Sequence, residues 1–252
     1  MKGYLVVLCC LYLFGCAQNG TSSTPAVNAA ADAYTQLGMQ YLRSGDAVNA
    51  KTAFQRAKEI DSDSVAAYNG LAMVFQLEEE PALAEKYFKQ AVAMAPDSAM
   101  LHNNYGAFLF SIERYQDACR ELARATEDPF YNNRAQAFEN LGRCYRLIGR
   151  DDAAEHALKR SLKLNSNRPV ALVELASVLL ERGETDEAVM YFDQFSRMID
   201  AKQVEHYAKS LWLGVRIARA QNSAVTAATY GLILKNLYPE SDEYGQYKES
   251  TP

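Results

Sequence analysis

The sequence repeats itself about every 34 residues, and this period restricts the chain to folds that stack one structural unit many times. The aligned copies start at Ala31, Val65, Ala99, Ala135 and Pro169. Large residues recur at positions 4, 7 and 11 of each copy, the spacing of one face of a helix. Position 20 is alanine in all five copies, namely Ala50, Ala84, Ala118, Ala154 and Ala188. Small side chains at positions 8 and 20 favour two antiparallel helices in close contact.

This pattern resembles the tetratricopeptide repeat, a helix–turn–helix unit of 34 residues. The resemblance implies an all-α, right-handed superhelix of about six repeats, with one extra turn at its end. We place the repeats near 31–64, 65–98, 99–134, 135–168, 169–202 and 207–240, so that the array spans 31–240. The third repeat is lengthened by the insertion DPFYNN at 128–133, and the sixth is degenerate. The polar tail, 241–252, is expected to be frayed.

The N-terminus has the features of a lipoprotein signal peptide over residues 1–15. An apolar stretch from Gly3 to Phe14 is too short to span a bilayer as a helix, and it ends in Leu13-Phe14-Gly15-Cys16. That ending resembles the lipobox of bacterial lipoproteins and predicts acylation of Cys16. The small, uncharged residues that follow predict a flexible tether over 16–30. A plain signal peptide with an incidental Cys16, and a tether that is itself a binding peptide, are the alternatives.

Composition excludes several classes of function. The net charge of −5 gives no support for nucleic-acid binding, which requires a basic face. The three histidines fall in different repeats and at different phases, so we expect no metal site and no cofactor. His102 takes a core position and is interpreted as a packed side chain. No nucleophile or phosphate-binding motif is present in the sequence, and we expect no catalytic residues and no enzyme activity.

Two cysteines lie on helices that are expected to pack together. Cys119 falls on the second helix of repeat three and Cys144 on the first helix of repeat four, so a disulfide is conceivable in an oxidising compartment. Free cysteine is also common in protein cores. Two reduced core cysteines are the favoured interpretation, and the sequence leaves the disulfide open.

A protein of this kind acts through a surface, and the first helices of the repeats line the concave side of the array. Apolar residues dominate the groove positions of repeats one to three. Exposed methionine suits an adaptable peptide site. We therefore predict a partner-binding groove with five apolar anchors: Met39, Leu42, Met73, Leu77 and Phe110. In repeat four the groove becomes polar, with Glu139, Arg143 and Arg146. Lys and Asn, which clamp a C-terminal carboxylate in chaperone-binding repeats, are replaced by Thr35 and Met39.

The overall plan resembles the PilW/PilF family of type IV pilus biogenesis lipoproteins, the pilotins. The resemblance rests on the lipobox, the tether, six repeats, the DPFYNN insertion and the closing segment LWLGVRIA…YGLILKNLYPES. It implies an outer-membrane lipoprotein whose domain faces the periplasm and binds the secretin subunits of the type IV pilus. The implied role is to promote secretin localisation and multimerisation. An adaptor for another envelope system, such as a peptidoglycan hydrolase scaffold, outer-membrane protein assembly or Tad-type secretion, is the rival; a periplasmic enzyme is a more distant one.

Lipidation at Cys16 is directly testable. We expect a Cys16→Ser variant to leave the outer-membrane fraction, because several acyl chains bury far more apolar area in the bilayer than the remaining tether can. Cell fractionation followed by immunoblotting measures this, with a Cys9→Ser variant as the control. A Cys16→Ser protein that fractionates with the outer membrane like the wild type would contradict the prediction.

Overall fold

The computed structural model describes residues 25–250, and all regular structure in that range is α-helical. The predicted all-helical tetratricopeptide array is confirmed. The thirteen helices are α1 (Pro25–Arg43), α2 (Ala47–Ile60), α3 (Val65–Leu77), α4 (Pro81–Met94), α5 (Ala99–Ser111), α6 (Tyr115–Ala125), α7 (Arg134–Leu147), α8 (Asp151–Leu164), α9 (Pro169–Glu181), α10 (Thr185–Asp200), α11 (Ala208–Ala220), α12 (Ala224–Leu237) and α13 (Asp242–Glu249). The first twelve pack as six antiparallel pairs. The signal peptide and Cys16 lie outside the described residues.

The turn inside each of five repeats places one residue in the left-handed conformation. Gly45, Gly149 and Gly183 have φ values of 79°, 69° and 81° at position 15, which suits a residue without a Cβ. Glu79 and Glu113 occupy the same position in repeats two and three with φ values of 58° and 62°. Glycine therefore marks only three of these turns, and two glutamates bear the steric cost of this conformation.

The core of each repeat is formed by a small residue on the first helix facing a large residue on the second. A Cβ added to Gly106 would lie 2.7 Å from Cγ of Leu122, and one added to Gly142 would lie 2.6 Å from Cγ of Leu158. Both leucines are fully buried. The same contact recurs between Gly214 and a tyrosine in the sixth pair. Position 8 must therefore be small because position 24 occupies the space beside it.

Both ends of the array differ from the prediction. The first helix begins at Pro25, so the last six residues assigned to the tether, 25–30, are helical. In place of one extra turn and a frayed tail, α13 forms over two turns. The Ser241 side chain accepts a hydrogen bond from the Tyr244 backbone N–H at 3.2 Å and caps its start. Tyr247 then packs, partly buried, beside Gly231 of α12, and this contact holds the segment against the array. Within 25–250 no helix has the length and hydropathy that a membrane span requires.

The favoured interpretation of the two cysteines is wrong, because they form a disulfide. Cys119 and Cys144 join α6 to α7 with their Cα atoms 5.6 Å apart, in the usual range for a disulfide. The bond closes a loop that contains the DPFYNN insertion. It therefore ties repeat three to repeat four at a junction that the insertion lengthens.

Reduction of this disulfide is expected to destabilise the array. Closing a loop of about 25 residues is worth about 3 kcal/mol in the chain-entropy description. Urea unfolding with and without dithiothreitol measures the difference. A Cys119→Ala, Cys144→Ala double variant is the control, because its midpoint cannot respond to the reductant. Equal midpoints for oxidised and reduced wild-type protein would contradict the prediction.

His102 is buried, as its core position predicted, and both ring nitrogens have acceptors. Nδ1 lies 2.7 Å from Oε2 of Glu121, and Nε2 lies 2.8 Å from the carbonyl oxygen of Pro96. Two acceptors require two ring protons, which is the charged imidazolium. The hydrogen bond to Glu121 raises the pKa of His102, against the opposing effects of burial and of the Arg124 charge.

Protein stability is therefore expected to depend on the ionisation of His102. Because the pKa of His102 is raised in the folded state, the imidazolium stabilises the fold at pH values below its unfolded-state pKa of about 6.5. This contribution is lost as the pH rises through the raised pKa of the folded state. The difference in unfolding free energy between wild type and His102→Gln should thus be largest at about pH 5.5 and shrink towards about pH 8.5. Urea titrations at several pH values measure it, with His156→Gln on α8 as the control. A difference that stays constant over this range would refute the assignment.

Candidate partner-binding face

The first helices of the six repeats, α1, α3, α5, α7, α9 and α11, form one continuous surface, which we call the first-helix face. Polar bonds connect the helices from α3 onward in sequence. The Asn104 amide of α5 donates to Asn69 of α3 at 3.2 Å, and the Asn140 amide of α7 donates to Asn103 of α5 at 3.2 Å. Ion pairs connect the later helices. The face therefore presents its side chains from a surface that is fixed by cross-helix hydrogen bonds.

Three of the five predicted anchors come together in one pocket. Leu42 of α1 and Met73 and Leu77 of α3 line a cavity of about 330 Å³. Leu77 is 52% exposed. Met39 lies one turn before Leu42 and packs half-buried against the core of the first two repeats. We call this cavity the apolar pocket; it has the character that a docking site for an apolar side chain requires.

The structure holds Phe110 apart from the other anchors. Its ring lines a second cavity of about 360 Å³, which we call the central pocket, together with Arg143, Arg146, Leu147, Glu174 and Lys209. The Arg143 guanidinium lies 5.1 Å from the centre of the Phe110 ring, within cation–π range. The predicted set thus divides into an apolar site on repeats one and two and a charged site formed by repeats three to six.

An ionic network crosses the charged half of the first-helix face. Glu174 of α9 is almost fully buried and binds Arg146 at 3.2 Å and Lys209 at 2.7 Å. Glu181, the last residue of α9, binds Arg146 at 2.8 Å and Arg216 at 3.2 Å. Burial alone would raise the pKa of Glu181, but the charge of Arg146 and the bonds to its other partners hold that pKa below its usual range. The network therefore links α7, α9 and α11 by charge.

A separate buried fork fixes the start of α9. Glu139 accepts from Arg168 at 2.9 and 2.8 Å and from the backbone N–H of Ala171 at 3.1 Å. The carboxylate is thus fully used within the structure and has little capacity left for a ligand. Glu139, which the sequence placed in the polar part of the groove, is a structural group here.

The sequence reasoning missed the acidic members of this network and its C-terminal cations. Glu174 stands alone as a charge in the apolar stretch PVALVELAS, and such an isolated charge was a usable signal. Lys209 and Arg216 belong to the sixth repeat, which is degenerate because its two halves are one residue out of frame. Among the described residues, no group of three or more His, Cys, Asp or Glu side chains is placed to hold a metal ion.

Comparison with known proteins agrees with this architecture. Tetratricopeptide repeat family models match residues 29–97, 97–167 and 148–197. The fold and its face thus define a tetratricopeptide repeat protein. The solved structure of YrrB is described as a tetratricopeptide protein with an unusual peptide-binding site. It has a TM-score of 0.60 at 18% identity, covering 78% of this chain and 98% of its own. At that identity the likeness supports the fold alone.

The particular family follows from two closer comparisons. The chain is 38% identical to the type IV pilus assembly protein PilF of Pseudomonas aeruginosa, over 98% of each protein. The solved structure of Pseudomonas aeruginosa PilF has a TM-score of 0.82 and covers 90% of this chain and 100% of its own. The crystal structure of PilW, a type IV pilus biogenesis factor, has a TM-score of 0.74 at 30% identity, over 86% and 98%. The chain belongs to the PilF/PilW family of type IV pilus assembly proteins, which are not enzymes.

Proposed function

We propose that this protein is a pilotin that binds secretin subunits of the type IV pilus and promotes their outer-membrane localisation and multimerisation. Near-full-length similarity to PilF supports the proposal most strongly. Type IV pilus assembly is the family's role, and an array of helix pairs with a continuous first-helix face is suited to holding another protein. The secretin is the partner that the sequence resemblance implies.

The position of the apolar pocket is consistent with this role. Leu42 and Leu77 lie at the C-terminal ends of α1 and α3, so the pocket belongs to the first two repeats, those nearest in sequence to Cys16. If Cys16 carries the lipid, a secretin segment bound there is kept close to the membrane it must enter. We therefore assign the apolar pocket, with Met39 beside it, as the primary secretin contact.

The proposal predicts which substitutions weaken secretin binding. Truncating a well-packed interface anchor costs about 2 kcal/mol, which corresponds to about thirtyfold in affinity. We expect Leu77→Ala and Met73→Ala each to weaken binding of the full chain to the purified periplasmic region of the secretin by about this factor. Leu77 is half-exposed, so its removal leaves the repeat core intact.

The matched control is Leu232→Ala. Leu232 is 58% exposed, but it lies on α12, the second helix of repeat six and away from the first-helix face. Pull-down and titration with each variant, after circular dichroism has shown native helix content, separate the two surfaces. Normal binding by both pocket variants together with loss of binding in Leu232→Ala would rule out the assignment.

A further inference from the structure

The central pocket carries a cation that the fold does not neutralise. Arg143 lies over the ring of Phe110, and within residues 29–250 no carboxylate is in ion-pair distance of its guanidinium. The side chain is half-buried beside a cavity of about 360 Å³. Desolvating a guanidinium without a counter-ion is costly, and a carboxylate offers two parallel hydrogen bonds in return.

The surroundings of Arg143 also have an excess of positive charge. Arg146, Lys209 and Arg216 share the two carboxylates of Glu174 and Glu181, and Arg143 adds a fourth cation. Within this network four cations therefore face two carboxylates, whereas the whole chain carries a net charge of −5. This local reversal of sign favours an anionic ligand.

Apolar surface adjoins the cation. Leu147 is 53% exposed and lines the same cavity as Phe110. A small inorganic anion would leave this apolar wall in water, whereas an acidic side chain with an apolar neighbour would cover it. The pocket therefore fits a segment of a polypeptide better than a free ion.

A row of amides crosses α3, α5 and α7, three helices that carry residues of the two pockets. Asn69, Asn104, Asn103 and Asn140 join α3, α5 and α7 through two cross-helix hydrogen bonds. Each amide has two donor hydrogens and two acceptor lone pairs, more than one such bond uses. Partly exposed amides of this row can pair with the backbone of an extended chain that runs from one pocket to the other.

We propose that the central pocket binds an aspartate or glutamate side chain of a partner peptide, with Arg143 pairing the carboxylate and Leu147 and Phe110 contacting an apolar residue next to it. This inference deepens the proposed function, since it rests on the first-helix face as the binding surface and adds the chemistry of the ligand. The acidic residue enters the central pocket while apolar residues enter the apolar pocket. The carboxylate replaces the aromatic ring as the main partner of the guanidinium.

The test uses peptides rather than the secretin. Random 12-residue peptides displayed on phage are selected against the purified full chain in detergent. We expect the bound peptides to be enriched in Asp or Glu next to an apolar residue. Changing that acidic residue to its amide in a synthetic copy, or making Arg143→Gln in the protein, should each weaken binding about tenfold, because a charge-assisted bond is lost. Combining both changes should cost no more than either alone.

The control and a charge swap sharpen the result. Arg150→Gln is the control, because Arg150 also stacks on an aromatic ring, with its guanidinium 4.9 Å from the ring centre of Tyr145. Arg150 lies at the start of α8, outside the central pocket. This variant should bind like the wild type. Arg143→Glu should lose the acidic peptide and gain a copy in which lysine replaces the acid. The peptide-side change needs no protein variant, so a folding defect in Arg143→Gln cannot hide the outcome.

Two results would overturn the inference. The first is that the selected peptides show no enrichment in Asp or Glu. The second is that an acidic peptide binds with unchanged affinity both when its acid is replaced by the amide and when the protein carries Arg143→Gln. The proposed function is decided separately by the pocket variants and the secretin. If Leu77→Ala weakens secretin binding but Arg143→Gln leaves the affinity for acidic peptides unchanged, the proposed function is retained and this inference is rejected.

Discussion

The whole array depends on one contact, a small residue at position 8 of the first helix against a large side chain at position 24 of the second. At Gly106 and Gly142 even a single methyl group would overlap a buried leucine. The alanines at position 20, all fully buried, complete the close approach from the other helix. A larger residue at either position would force the pair apart, at a cost of about 1–3 kcal/mol for each overpacked site. Because each pair packs on the next, such a change would also alter the stacking of the neighbouring repeats.

Because the contacts at positions 8, 20 and 24 lie inside the helix pairs, the residues on the first-helix face can differ from repeat to repeat. The apolar pocket on repeats one and two and the ionic network on repeats four to six lie on the same scaffold, yet they have opposite chemistry. Buried ion pairs are weak evidence for stability, since desolvation offsets most of the Coulombic gain. The network around Glu174 and Glu181 is better understood as setting the position of α7, α9 and α11 relative to one another. It also fixes which cations remain available at the surface.

The sequence predicted the parts of the molecule that depend on periodicity. The helix pairs, the buried position of His102 and the small residues at positions 8 and 20 all follow from a period that any reader can align. It could not predict features that depend on how repeats stack. Phe110, at position 12 of its repeat, and Leu77, at position 13, were both assigned to one groove, but the stacked repeats place them in different pockets. The helix at 242–249 was missed because its order comes from Tyr247 packing on another helix, and its own residues are polar.

The terminal helix α13 has a consequence for assemblies that include this protein. It packs on α11 and α12 in the way that α11 packs on α9 and α10, so it takes the place that a seventh repeat would need. Tyr247 beside Gly231 closes that end. At the other end of the described array, Tyr34 and Leu37 of α1 are each 37% exposed. The two described ends of the array therefore differ in the surface they present, and a complex built on it inherits that polarity.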